Sequence, residues 1–232
     1  MNTALTRRGL LGGAAAGAVM TAVPGALAEQ KKLVFEVLRG GQTIGSHMLS
    51  FAHRGDDLIV DISINLVVEV AWVPVFRYEH HNHEVWRDGR LIGLESRTND
   101  DGRKFAVSAR KLGDHILIEG NEGTIEAPAD LLTTSYWHPK TPDRDRLLDT
   151  QEGAIVRVHH APRGTETLNV AGRRIDARRY DATGDLDLTV WYSLDHVWCG
   201  LQFDARGEEV HYRAVDVPDS ATRVSFAQLA EI

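Results

Sequence analysis

The chain has 232 residues, with 26 basic against 33 acidic side chains and a formal net charge of −7. That balance makes nucleic acid and anionic membrane surfaces poor default partners. The single cysteine, Cys199, excludes an internal disulfide, so the fold stands without covalent staples.

The chain opens with a leader. Arg7 and Arg8 sit in "TRRGLLGG", ahead of the mildly apolar run "LLGGAAAGAVMTAVPGALA". Ala26 and Ala28 form the small-x-small pattern of a signal-peptidase site. The twin arginine, the glycine-rich core and Pro24 near the cut match a Tat-type signal over 1–28, cleaved after Ala28. The expected partners are then the Tat export machinery and signal peptidase, and the expected destination is the periplasm. The run is short, glycine-broken and ends in a cleavage pattern, which argues against a stable membrane anchor. Cleavage leaves about 200 residues, 29–232, enough for one core.

Beyond the leader, strands alternate with tight turns. "LVFEVLR" (33–39) reaches Gly40–Gly41, and "QTIGSHMLSF" returns. After "RGDD" (54–57) comes "LIVDISINLVVEV" (58–70), with Leu58, Val60, Ile62, Ile64, Leu66, Val68 and Val70 at strict period two. Such alternation buries one face and wets the other. Thirteen residues span on the order of 43 Å, a length that suits a barrel or a strongly curved sheet. "VFRYEHHNHEVW" ends at Asp88–Gly89, a type I′ hairpin signal. Further runs follow to residue 120, and "GTIEA" closes this half. After an interruption come "AIVRVHHA", "TETLNV", "RRIDARRYDA", "DLDLTVWYS", "VWCGLQFDA" and "EEVHYRAVDV". Turn signals every eight to twelve residues predict an all-β antiparallel meander, curled into an open or closed barrel. The interruption, 128–146, is proline-rich and lacks alternation, so it reads as a short irregular or helical insertion that crosses the barrel mouth or acts as a lid. The tail, 216–232, is expected to hold a short helix.

The stretch "YEHHNHEVW" (78–86) is the densest in chemistry. Alternation puts Tyr78, His80, Asn82, Glu84 and Trp86 on one face and Glu79, His81 and His83 on the other. The aromatic face is the one expected inward, which makes Tyr78, His80, Glu84 and Trp86 candidates for a cavity wall. A packed polar network is the competing reading. Tyr136 and Trp137, in the insertion, and Trp191 are expected as further wall or lid. His81 and His83 form an H-x-H pair, and a zinc site would need a third ligand from another strand. Ser135 has His138 three residues on, but no G-x-S-x-G elbow surrounds it, so no catalytic residue is assigned. Cys199 reads as a buried packing residue. Calcium-loop and phosphate-loop spacings are absent, and the sequence names no cofactor.

Four features resemble a bacterial family of exported proteins known as a domain of unknown function. They are the Tat-like leader, an E-x-W-x-x-G-x-L hairpin (Glu84, Trp86, Gly89, Leu91), a T-x-x-x-G turn (Thr98, Gly102) and a late hairpin with Trp191, Tyr192 and Trp198. The resemblance spans nearly all of the mature chain. It implies an antiparallel β fold similar to the open, curved barrels of periplasmic lipoprotein carriers, and it implies no activity or catalytic residue.

The sequence therefore predicts a non-catalytic binding or carrier protein for a small, partly apolar or lipid-like ligand. One rival is a metal-binding protein or metal-dependent enzyme built on His81 and His83. The other is an envelope interaction or scaffold protein, which would have a packed interior and an exposed apolar patch.

Overall fold

The computed structural model describes residues 31–218. The leader and the tail helix expected near the C terminus lie outside the described residues. Within them, alternation becomes strand almost everywhere. The first half is β1 (Lys31–Arg39), β2 (Gln42–Arg54), β3 (Asp57–Val70), β4 (Val73–Arg87), β5 (Arg90–Asp100), β6 (Arg103–Leu112), β7 (His115–Gly120) and β8 (Gly123–Pro128). The second half is β9 (Leu132–Thr133), β10 (Arg146–Leu148), β11 (Ile155–Val170), β12 (Arg173–Gly184), β13 (Leu188–Ser193), β14 (Trp198–Ala205) and β15 (Glu208–Asp216).

These strands make one sheet in the order β8 to β1, then β15 down to β9. Neighbours are antiparallel except β9 and β10, which run parallel. The two halves meet where β1 pairs with β15, placing Val37 opposite Tyr212. The edges, β8 and β9, do not pair with each other, so the sheet curls without closing. On β3 the predicted face turns in: Val60, Ile62 and Leu66 are buried while Asp61, Asn65 and Glu69 are exposed.

Tight turns hold the meander. Asp88 and Gly89 both have positive φ, as a type I′ hairpin requires. A bulge in β2 shapes one end of the curl: Val37 pairs with Gly45 but Leu38 pairs with Thr43, leaving Ile44 as the extra residue. A Cβ at Gly45 would lie 1.9 Å from the Asn65 carbonyl oxygen, so only glycine fits there.

Two expectations are corrected. "AIVRVHHA" and "TETLNV" are one strand, β11, because Pro162–Gly164 forms a register shift rather than a turn. The insertion is not a cover laid over the rim: it enters the curl and plugs one end from within. Leu131, Leu132, Tyr136, Trp137, Leu147 and Leu148 are all buried. The side chains of this stretch are too apolar to lie on a surface, and the concave side of the sheet is the apolar surface available to them.

Candidate functional site

The inner face of β4 organises the interior from end to end. His80, Asn82, Glu84 and Trp86 are buried, and His81 and His83 on the opposite face are exposed. From Trp86 to Phe76 this row runs about 33 Å. The insertion fills one end of it and leaves the other open.

At the filled end Glu84 is 0 % exposed. Its Oε1 accepts from Asn82 Nδ2 at 2.8 Å, and its Oε2 accepts from the indole N–H groups of Trp86 and Trp137, each at 2.8 Å. The rings of Trp86 and Trp137 meet edge to face at 5.2 Å, and His138 packs against both. The Glu84 carboxylate is thus fully satisfied inside a packed core, while Asn82 Oδ1 and His138 Nε2 are buried there without a hydrogen-bond partner among the described residues. Tyr136 belongs to the core as well: its ring lies 6.2 Å from Trp198, and its carbonyl accepts from Tyr192 Oη at 2.7 Å.

Midway along the row, His80 Nδ1 lies 2.8 Å from Thr98 Oγ1, and its Nε2 lies 3.5 Å from Thr150 Oγ1 in the turn between β10 and β11. Burial lowers its pKa to about 4, with His81 adding a smaller push. His47 lies on β2, one strand beyond β3, whose Ile64 pairs with both histidines. Phe35, Trp198 and Tyr212 surround its ring, neither ring nitrogen has a partner, and burial lowers its pKa to about 3.

The open end is a cavity of about 660 Å³. Its walls are Ile44 from β2, Ile64, Leu66 and Val68 from β3, Phe76 and Tyr78 from β4, and Phe203, Val210 and Tyr212 from β14 and β15. The Tyr78 hydroxyl donates to Gln151 Oε1 at 2.9 Å, tying the cavity to the turn between β10 and β11. Burial, then Tyr212 and two aspartates, pushes the Tyr78 phenol pKa upward, which keeps it a donor. Arg39, Arg206 and Asp100 bring charge to the lining. Asp100 pairs with Arg103. Among the described residues neither cavity arginine has a carboxylate partner: Arg206 lies 5.2 Å over the Phe76 ring, and Arg39 reaches the Ala205 carbonyl at 3.5 Å.

Of the residues singled out in the sequence, Tyr78 lines this cavity and His80 lies one inward position deeper. Glu84, Trp86, Tyr136 and Trp137 are enclosed by protein at the filled end and in the core. Trp191 is buried but turned to the face of β13 opposite Tyr192, where its Nε1 donates to Glu166 Oε2 at 3.0 Å and Arg179 stacks over its ring. Its inward neighbour Tyr192 takes the core position. His81 and His83 line an open outer groove of about 320 Å³ with Asp61, Glu95 and Arg97, and His83 Nδ1 lies 2.6 Å from Asp61 Oδ1. Among the described residues no group of three His, Cys, Asp or Glu side chains is arranged to hold a metal. Ser135 Oγ pairs with Thr133 Oγ1 at 2.5 Å, while His138 Nδ1 accepts from the Lys140 N–H. Cys199 is buried. Arg39, Phe203, Val210 and Tyr212 escaped the sequence reading; the alternation of Val210, Tyr212 and Ala214 in β15 was the signal for two of them.

The fold and its cavity define a class: β-barrel-like proteins made of one long curled antiparallel sheet. A crystal structure of a beta-barrel-like protein of the domain of unknown function DUF1849, from Brucella abortus, matches with a TM-score of 0.58 and 8 % identity, over 82 % of this chain and 97 % of that one. That likeness is one of fold. By sequence the chain belongs to the domain of unknown function DUF6134, whose family model matches residues 35–215. No curated protein matches it in sequence.

Proposed function

We propose that the protein is a periplasmic carrier that binds a small, partly apolar ligand in the open-end cavity. The supporting observation is the cavity itself. Its volume of about 660 Å³ falls within the usual range for small-molecule sites, and aliphatic and aromatic side chains dominate its walls. Tyr78 and Gln151 offer a fixed polar contact within it, and the unpaired Arg39 and Arg206 favour a ligand with an acidic group. Aromatic walls supply contact area at small entropic cost. The Arg7–Arg8 pair and the small-x-small pattern at Ala26 and Ala28 support export and a periplasmic site of action.

The test is native mass spectrometry of protein purified from the cell envelope without an affinity tag or chelator. An organic adduct that is lost in Val68→Glu is the expected result. A bare polypeptide, or an adduct with the mass of a metal ion, would count against this reading. A chain beginning at Glu29 would agree with export, and one retaining residues 1–28 would contradict it.

A further inference from the structure

The β3–β4 hairpin ends in seven consecutive uncharged, apolar residues, Val70 to Phe76, with the sequence "VAWVPVF". Its two-residue turn is Ala71 and Trp72, both at positive φ. That backbone suits Gly or Asn, and a tryptophan there is a steric outlier. The indole gains little packing in return, being 91 % exposed. Val70, Val73 and Val75 beside it are also more than half exposed. Scattered apolar side chains on a surface are ordinary, but a contiguous protruding set is not.

The geometry points to this hairpin tip as a membrane-docking element that inserts into the interface of a phospholipid bilayer. Three observations favour a bilayer over a protein. The first is shape: the tip is a two-residue turn with protruding side chains, too small for the roughly 800 Å² a side of a stable protein interface. The second is chemistry: an exposed tryptophan flanked by valines is the composition that settles at the boundary between head groups and acyl chains. The third is continuity: Val70 and Val75 belong both to the tip and to the cavity lining, so an apolar path leads from the tip into the cavity. Arg39, Arg77 and Arg206 flank this end and suit lipid phosphates, against Glu69, Asp100 and Glu208. The chain's net charge of −7 opposes anionic surfaces, so insertion rests on the apolar tip and is expected on zwitterionic lipid. The inference extends the carrier reading by supplying the surface from which a ligand is loaded or released.

The test uses the mature protein and phosphatidylcholine vesicles. The other four tryptophans are at most 5 % exposed, so Trp72 dominates any change in emission or quenching. The expected results are co-sedimentation with vesicles, a blue shift of emission and protection from acrylamide. Trp72→Ala and Val73→Asp should abolish co-sedimentation with the thermal midpoint unchanged, and Met48→Ala on the outer face should not. Unchanged emission and no co-sedimentation of the wild type would overturn the proposal. So would self-association that Trp72→Ala removes, without vesicle binding. Uptake of a soluble fluorescent fatty acid by Trp72→Ala separates the two readings: retained uptake with lost docking supports the tip's role, and lost uptake would overturn a purely membrane role for Trp72.

Discussion

The Glu84 carboxylate and the Trp137 indole, 53 residues apart in the chain, meet at 2.8 Å where the insertion seals one end of the curl. Removing the acid orphans three buried donors at once: two indole N–H groups and the Asn82 amide. Glu84→Ala should destabilise the fold by roughly 3 kcal/mol or more. Glu84→Gln should recover little, because its amide adds donors where donors already converge. Trp137→Phe removes one bond and part of a ring, at a cost of about 1–3 kcal/mol. Urea unfolding of the three variants checks the order, and a neutral Glu84→Gln would contradict it.

Stability should fall on mild acidification. Burial lowers the pKa of His47 and His138 to about 3 and of His80 to about 4, from 6.5 in the unfolded chain. Below pH 6.5 the unfolded state therefore binds protons that the folded state excludes. Stability is full above that pH and is lost as pH drops toward the folded values. Each ring contributes up to about 1.4 kcal/mol per pH unit, so the three together remove roughly 4 kcal/mol between pH 7 and 5.5. Denaturant midpoints at the two pH values check this. His47→Phe, set among aromatic neighbours, should reduce the slope by about a third.

Gly45→Ala should be costly where Gly93→Ala is not. The first drives a methyl into the Asn65 carbonyl at 1.9 Å, while the second meets nothing closer than 3.9 Å. A loss of about 2 kcal/mol or more is expected for Gly45→Ala and under about 1 kcal/mol for Gly93→Ala. Thermal unfolding of the pair is the measurement, and equal midpoints would show that the β2 bulge adjusts freely.

Cys199 should resist thiol reagents in the native protein. Its Sγ is buried and donates to the Val197 carbonyl at 3.0 Å. Labelling should therefore follow unfolding, rapid in denaturant and slow without it. Fast native labelling would show that β14 opens locally.

Local period fixes strands and faces, and that much was legible. The split of 78–86 into an inner Tyr78–Trp86 row and an outer His81–His83 pair needs only the pleat. What fills the space beside an inner face is a non-local question. The insertion and the turn after β10 have no period, so nothing in them announced that Trp137 would reach Glu84, or that Gln151 would meet Tyr78. The direction of Trp191 was hidden for a related reason. In "TVWYS" an aromatic stands on each face, and the choice is made by Glu166 and Arg179 on neighbouring outer positions. The cavity depends on the joining of β1 to β15, a pairing across the whole described chain. The Arg39 and Arg206 side chains meet its lining only because of that pairing.

The most direct test of the carrier account is titration of the mature protein with a fatty acid bearing a polarity-sensitive fluorophore. Val68→Glu, in the cavity wall, and Met48→Glu, on the outer face, are the comparison variants. Saturable uptake by the wild type and by Met48→Glu, with uptake lost in Val68→Glu at unchanged thermal stability, is the predicted result. Absence of saturable uptake, or uptake that Val68→Glu leaves intact, would contradict a ligand site at the open end of the curl.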